Sequence, residues 1–515
     1  MEVFSSTGLT SKVVRGSAWS VGGQGVTLLA SLVATPFVIR LLGPEGYGVL
    51  ALINVLIGYL AFTDLGMGTA STRFGADAHA RDDDGDGEAA VIWTSLWLAA
   101  VPSFLGAVAL ALLARPLSEH VLHLPANLIE QAVIALRLTA IGFIARTLAG
   151  VLNTPQLVRL RMDLFILINT GTTAAQICIV PIVLFLGGGL IGAVTTVTCA
   201  NVLALLLNAF ASWRLLPSLA RPRLNSVLLR SLLKFGSALI VSSLVGMALI
   251  SSERLWLTRF VSITALARYS VAYTLASLLV VLPAAINQSL IPAFSRLQAR
   301  DTTDDLTALG QLYWRAQRGT LLWLAPAVVV VVVAAKPFIT FWAGPDYASA
   351  VTPFYILVLG LIFNVMAFVP LSLLTALGRT NLIARYHTME LLPYLIGAAV
   401  LTYLYGPAGA ATAWSLRVFA DALLLFRAAK RSTGFAFAPT RLRPWRYVLV
   451  IAVLAFPVLI FSLLDNNLAV KAGALLIGLV AYAGLVWRKE LSAEEKAWMT
   501  TSWGGFKHRP LSQKV

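Results

Sequence analysis

Charge is scarce in this chain. Asp, Glu, Lys and Arg make up 12% of its 515 residues, about half the ~25% usual for a soluble globular domain. A soluble enzyme is excluded, because its water-facing shell would need polar surface that this sequence does not have. Cysteine is almost absent. Cys178 and Cys199 both lie in apolar runs, so neither a disulfide framework nor a cysteine metal site is implied. His120 and His123 form a lone i, i+3 pair with no further ligand nearby, so no metal is expected there. Acidic residues are outnumbered 23 to 39 by Lys and Arg, giving a net charge of +16. That excess would suggest nucleic acid, but its placement argues otherwise.

What the chain has in abundance is apolar sequence. Hydrophobic residues reach 58% and mean hydropathy is +0.82. A membrane-spanning helix takes ~20 apolar residues, whereas a β-barrel shows short alternating strands. The long unbroken runs here therefore predict an all-α polytopic membrane protein. Fourteen spans are expected, over 13–41, 46–73, 90–114, 128–151, 163–186, 190–214, 230–258, 266–295, 312–335, 351–377, 382–405, 408–430, 446–464 and 468–487. The longest breaks are Asp77–Glu88, Arg296–Leu306, Arg431–Arg443 and the C-terminal tail. The acidic run Asp82 to Asp86 lacks EF-hand spacing and reads as a solvated loop. No cleavable signal is expected, since the first apolar stretch runs from Ala18 to Ile39.

The cations test this map. With the N-terminus in the cytoplasm, the outer ends hold only Arg40, Arg115, Arg259, Arg268, Lys336 and Lys471. Four arginines fall within spans, and all other cations lie on the inner side. This is a positive-inside asymmetry, and it accounts for the net charge through attraction to anionic lipid without nucleic acid. Both termini are expected in the cytoplasm of a bacterial plasma (inner) membrane.

The chain also echoes itself at an offset of about 220 residues. Ser95-Leu96-Trp97-Leu98-Ala99 reappears as Leu321-Leu322-Trp323-Leu324-Ala325. Gly16-Ser17-Ala18 reappears as Gly236-Ser237-Ala238. Gly189 opens the sixth span and Gly406-Pro407 opens the twelfth. Six spans per copy give both copies the same orientation, so the repeats are parallel. The expected organisation is a lobe over 1–220, a lobe over 221–435, two extra helices over 436–490 and a cytoplasmic tail over 491–515.

Two stretches carry more specific information. One is Leu41-Leu42-Gly43-Pro44-Glu45-Gly46-Tyr47-Gly48, a tight turn joining the first two spans. The other is Phe62-Thr63-Asp64-Leu65-Gly66-Met67-Gly68, followed by Arg73-Phe74. Together they resemble the N-terminal signature of the polysaccharide transporter family, the Wzx-type flippases of the multidrug/oligosaccharidyl-lipid/polysaccharide exporter superfamily. That resemblance implies two six-helix lobes around a central cavity that rock between inward-open and outward-open states. It implies transfer of an undecaprenyl-pyrophosphate-linked oligosaccharide to the periplasmic leaflet, for O-antigen, capsule or exopolysaccharide synthesis. It implies no cofactor and leaves a coupling ion, proton or sodium, open. The implied partners are the lipid-linked oligosaccharide and the bilayer, with a polysaccharide polymerase and a chain-length regulator as further candidates.

Charges inside spans are costly and tend to face a water-filled interior. Arg137, Arg146, Arg254 and Arg417 are therefore the substrate-binding candidates, because guanidinium matches phosphate in a two-pronged fork. Arg137 and Arg146 are nine residues apart, about 180° around a helix, so only one of them is expected in the cavity. Arg146 is preferred, and Arg137 is expected to snorkel. Glu253 and Arg254 are sequence neighbours and are not expected to face each other. Arg417 and Asp421 are spaced for an ion pair. Asp64 is either a structural carboxylate paired with helix ends or Arg73, or a coupling site. Glu390 is expected to pair with Arg385 or another inner cation. Gln24, Asn54, Asn287 and Asn364 are the neutral candidates for sugar hydroxyls. Gly22, Gly23 and Gly25 either allow close packing or let the first helix bend, and Pro283 is expected to break the eighth span.

The competing functions are a multidrug or lipid II exporter of the same superfamily, and a membrane glycosyltransferase or polysaccharide polymerase. The enzymes would need catalytic groups in a sizeable extramembrane loop. The longest outer loops here, about Arg115–Asn127 and Lys336–Ala350, are short.

Overall fold

The computed structural model describes residues 6–81, 85–298, 303–433, 468–491 and Lys496. Among these there is no β-strand. The first helical element, α1 (Ser6–Leu60), has 55 residues and would be roughly 80 Å long at 1.5 Å per residue, far beyond the ~30 Å hydrocarbon layer. It is two helices meeting at Gly43, where φ is 68° and ψ 176°. Only glycine adopts that backbone readily. Pro44 then starts the second helix, where its fixed φ and missing N–H cost nothing.

The signature near Asp64 breaks the chain again. A 3₁₀ turn, Ala61–Asp64, is followed by Leu65 and Gly66, both with positive φ. Helix α2 (Met67–Arg81) begins only after them. The single helix expected over 46–73 is therefore two, because consecutive left-handed residues cannot continue a right-handed helix.

The remaining helices follow in order: α3 (Asp86–Pro116), α4 (Ala126–Leu152), the short α5 (Thr154–Val158), α6 (Met162–Phe185), α7 (Gly189–Leu215), α8 (Ser226–Phe260), α9 (Ile263–Gln298), α10 (Thr303–Ala343), α11 (Val351–Ala376), α12 (Thr380–Thr433) and α13 (Leu468–Leu485). Like α1, α12 is two helices, meeting at Gly406 (φ 57°, ψ −135°) ahead of Pro407. Gly189, which opens α7, also has positive φ. Among the described residues nine helices are long and apolar enough to cross a membrane, two of them these kinked pairs. The chain is a polytopic helical membrane protein. The span expected over 446–464, most of the tail beyond 491 and Asp82 to Asp84 lie outside the described residues.

One sequence expectation about bends is corrected. Helix α9 continues through Pro283 without a break. Helix α1 stays helical through Gly22, Gly23 and Gly25, its one departure being at Gly43. Of those three glycines only Gly23 abuts a neighbour, where an added Cβ would stand 3.0 Å from Ile166.

The helices form two compact units. The first comprises Met1–Thr274, Ile339–Ile356 and Ala384–Arg417, the second Leu275–Phe338, Leu357–Ile383 and Val418–Val515. Within the first unit, α1 packs on α6, α6 on α7, α7 on α4, α4 on α3 and α3 on α2. One of its cores joins Met67 and Ala70 of α2 to Ile92 and Ala99 of α3, Val151 of α4 and Leu232 of α8. The second unit has its own core of Phe294, Leu309, Tyr313, Val369 and Leu373. There α13 is fastened to α10 by the Tyr482 hydroxyl, which donates to the Leu322 carbonyl at 2.7 Å.

Candidate functional site

Inside the first unit the two halves of α1 and helices α4, α6 and α7 surround a cavity of about 410 Å³. That volume lies within the ~300–1,000 Å³ of small-molecule sites. Each helix presents one face to it. From α4 come Thr139, Gly142, Phe143 and Arg146, spaced i, i+3, i+4, i+7; from α7 come Val194, Val197, Thr198 and Asn201 in the same spacing. The second half of α1 contributes Tyr47, Leu50, Asn54 and Ile57, and α6 contributes Gln176. The helices can crowd here because Gly142 has no side chain: a Cβ would sit 3.3 Å from the Thr198 Cα. The Thr198 hydroxyl donates to the Leu138 carbonyl at 3.1 Å and closes the same crossing.

Arg146 is the cavity's one charged residue. It is exposed to the cavity space, and among the described residues no carboxylate lies within ion-pair distance of it. A guanidinium in an apolar bundle, facing amides and hydroxyls with no counter-ion, is an anion-binding arrangement. Asn54, exposed on the second half of α1, offers a donor and an acceptor to the same space. Arg137 is on the far face of α4, as its spacing requires. It is exposed and donates from Nε to the Ala111 carbonyl of α3 at 3.5 Å.

A second charged cluster lies elsewhere in the first unit. Glu253, fully buried on α8, accepts hydrogen bonds from the Tyr269 hydroxyl of α9 at 3.1 Å and the Tyr394 hydroxyl of α12 at 2.5 Å. Arg254 Nε stands 3.7 Å from the Glu253 carboxylate. Its guanidinium lies 4.2 Å from the centroid of the Tyr273 ring. The expectation that these neighbours would not face each other is corrected: the long arginine folds back over the aromatic floor and its charge meets the adjacent carboxylate. Arg417 joins the cluster with its guanidinium 5.8 Å from the Tyr394 ring, its Nε buried with no hydrogen-bond partner among the described residues. Neither Arg254 nor Arg417 lines the cavity that holds Arg146.

The other predicted residues are dispersed. Gln24 is exposed and does not line the cavity. Glu390 is buried in the first unit. Asp64 keeps one carboxylate oxygen buried without a hydrogen bond among the described residues. Arg73 is packed 5.3 Å from the Phe235 ring centroid, with no described ion pair to Asp64. In the second unit Asp421 is buried, Asn364 is half-buried, and Asn287 accepts from the Ser372 hydroxyl at 2.6 Å. Among the described residues no group of three His, Cys, Asp or Glu is placed to hold a metal.

Sequence reasoning missed two features. Gln176 and Asn201 line the cavity, and both are intramembrane amides of the same kind as those singled out. Glu88 was placed in a solvated break, yet it is fully buried, 2.6 Å from Arg159 Nη1 and 3.2 Å from His79 Nδ1. Its position at the end of the Asp77–Glu88 break hid it, because nothing local distinguishes a charge in the first turn of α3 from one in the loop before it.

Comparison with known proteins places these observations. Residues 13–298 match the family described as polysaccharide biosynthesis protein. The chain is 25% identical over 418 residues to a Shigella flexneri protein named "Putative O-antigen transporter", covering 80% of this chain and 96% of that one. Among solved structures it is similar to the lipid II flippase MurJ in an inward closed conformation, with a TM-score of 0.69 and 15% identity over 92% of this chain and 99% of that one. It is also similar to a multidrug resistance MATE family transporter of the MOP superfamily in its inward-facing conformation, with a TM-score of 0.65, 14% identity and coverage of 80% and 94%. At such identities the structural likenesses show the fold.

Proposed function

The chain belongs to the polysaccharide biosynthesis protein family, and from that premise we propose that it is a flippase, not an enzyme, which moves an undecaprenyl-pyrophosphate-linked oligosaccharide from the cytoplasmic to the periplasmic leaflet of the bacterial inner membrane. The observation that carries the reading is the cavity around Arg146, a single uncompensated cation among amides and hydroxyls. A pyrophosphate and its sugars cannot cross hydrocarbon unaided, and such a surface replaces the water they lose. The O-antigen transporter named above supports the same substrate class.

Transport proceeds by alternating access. The lobes over 1–220 and 221–435 rock about the site, a recurring solution in parallel-repeat transporters. The helices over 436–490 stand outside the repeat, and the tail over 491–515 is cytoplasmic with the N-terminus. Asp64 and the Glu253 cluster are the candidates for coupling to a proton or sodium gradient. A polysaccharide polymerase and chain-length regulator take over the product on the periplasmic side. Deleting the gene tests the reading. Lipid-linked oligosaccharide should accumulate on the cytoplasmic face and surface polysaccharide should fall. Normal surface polysaccharide in a strain without a paralogue would refute it.

A further inference from the structure

The Gly-Pro-Glu-Gly-Tyr-Gly segment over 43–48 has so far served only as a signature and a turn. Its surroundings give it a second job. Gly48 is buried so tightly that an added Cβ would collide with the Ile263 carbonyl at the start of α9. One residue earlier, Tyr47 lines the Arg146 cavity, its hydroxyl hydrogen-bonded to Thr274 of α9, which also lines it. The other side of the Tyr47 ring meets the buried Tyr347 edge-on, with centroids 6.5 Å apart. Two further hydrogen bonds join α1 to the C-terminal end of α10. The Trp342 indole N–H donates to the Leu32 carbonyl at 3.0 Å, and Arg40 donates to the Phe341 carbonyl.

Tyr47 thus both lines the cavity around Arg146 and touches Thr274 and Tyr347 of the second repeat. We propose that Tyr47 is a positioning residue that couples occupancy of the Arg146 cavity to the closure of the Gly43 end of the molecule. This end is the periplasmic one in the orientation proposed above, and the inference rests on that reading of the cavity. A pyrophosphate-bearing ligand at Arg146 competes for the Tyr47 hydroxyl. Once Thr274 loses that bond, the ring is free to leave Tyr347, and the Gly43 end opens. Gly48, next to Tyr47, keeps its backbone close to α9, so a small movement of one ring is felt across the repeat boundary.

The test uses the full chain carrying Cys178→Ser and Cys199→Ser, with Ser31→Cys as a reporter on the cavity wall. Membrane vesicles with the periplasmic face outward are treated with a membrane-impermeant maleimide, with and without undecaprenyl pyrophosphate, and binding of that lipid is measured in parallel. In the parent the lipid should speed labelling of Ser31→Cys. Tyr47→Phe keeps the ring and loses the hydroxyl. It should label about fivefold faster without lipid, the equivalent of one lost hydrogen bond, and gain little when lipid is added. Thr274→Val, which removes the other partner, should behave the same way. A Tyr47→Phe protein that responds to lipid as the parent does would overturn the coupling while leaving the cavity reading intact. Loss of lipid binding in step with loss of response would make Tyr47 a binding group and overturn it too. A parent protein that neither binds nor responds to the lipid would remove the cavity reading, and the coupling with it.

Discussion

Arg146 and Arg137 share one helix and differ in everything around them. Arg146 faces a cavity with no carboxylate among its lining residues, and Arg137 lies against the backbone of a neighbouring helix at the surface. Replacing Arg146 with alanine should cost about 1.5–3 kcal/mol of binding to a pyrophosphate lipid, the worth of a charge-assisted hydrogen bond. That is about ten- to a hundredfold in affinity, measured by lipid binding to the purified protein. Arg146→Lys should recover only part, because lysine keeps the charge and loses the fork. Arg137→Ala should leave binding unchanged. Glu88 makes a different prediction. It is wholly buried against Arg159, so Glu88→Ala strands a guanidinium and should cost about 3–5 kcal/mol of stability, as breaking a buried pair does. Removing Arg159 as well should return part of that. Thermal unfolding of the three variants checks it, and a Glu88→Ala protein as stable as the parent would show that the pair is dispensable.

Helices and turns were largely legible in the sequence, and the reason is solvent. In a bilayer each span must be long and apolar, so most of the predicted spans have a described helical counterpart, with the stretch over 46–73 split in two. The errors fall where a local backbone feature outweighed periodicity. Leu65 and Gly66 stop a helix that hydropathy alone would continue, and Pro283 fails to stop one that packing holds together. The site was half legible. Spacing placed Arg146 and Arg137 on opposite faces. It could not say that Arg254 folds back on Glu253, which depends on the rotamer the aromatic ring imposes, or that Gln176 and Asn201 line the same cavity, which depends on how helices far apart in sequence pack. The glycines allow a test at this scale. Gly43→Ala places a side chain at φ 68° and should cost about 1–3 kcal/mol. Gly48→Ala should be worse, since its Cβ meets backbone. Gly22→Ala has open space around it and should be neutral or stabilising by up to ~1 kcal/mol, as expected for glycine replaced within a helix. Membrane abundance and melting temperature of the three variants rank them. A Gly48→Ala protein as stable as Gly22→Ala would contradict the close approach to α9.

For the molecule as a whole, the distribution of cations along the sequence predicts its orientation in the membrane. Reporter fusions after Asp84, Arg223 and Ala436 should all read as cytoplasmic; a periplasmic signal at Arg223 would invert the map. The central claim is that this chain moves a pyrophosphate-linked glycan across the bilayer by way of the Arg146 cavity. The most direct measurement is made in proteoliposomes loaded with labelled lipid-linked oligosaccharide, by following how much label an external, membrane-impermeant glycosidase can reach over time. The account predicts that the intact protein exposes the inner-leaflet pool and that Arg146→Ala slows this about ten- to a hundredfold at low substrate, in line with the lost charge-assisted contact. Exposure by the intact protein no faster than in protein-free liposomes would contradict the function, and an Arg146→Ala protein as fast as the parent would contradict the site.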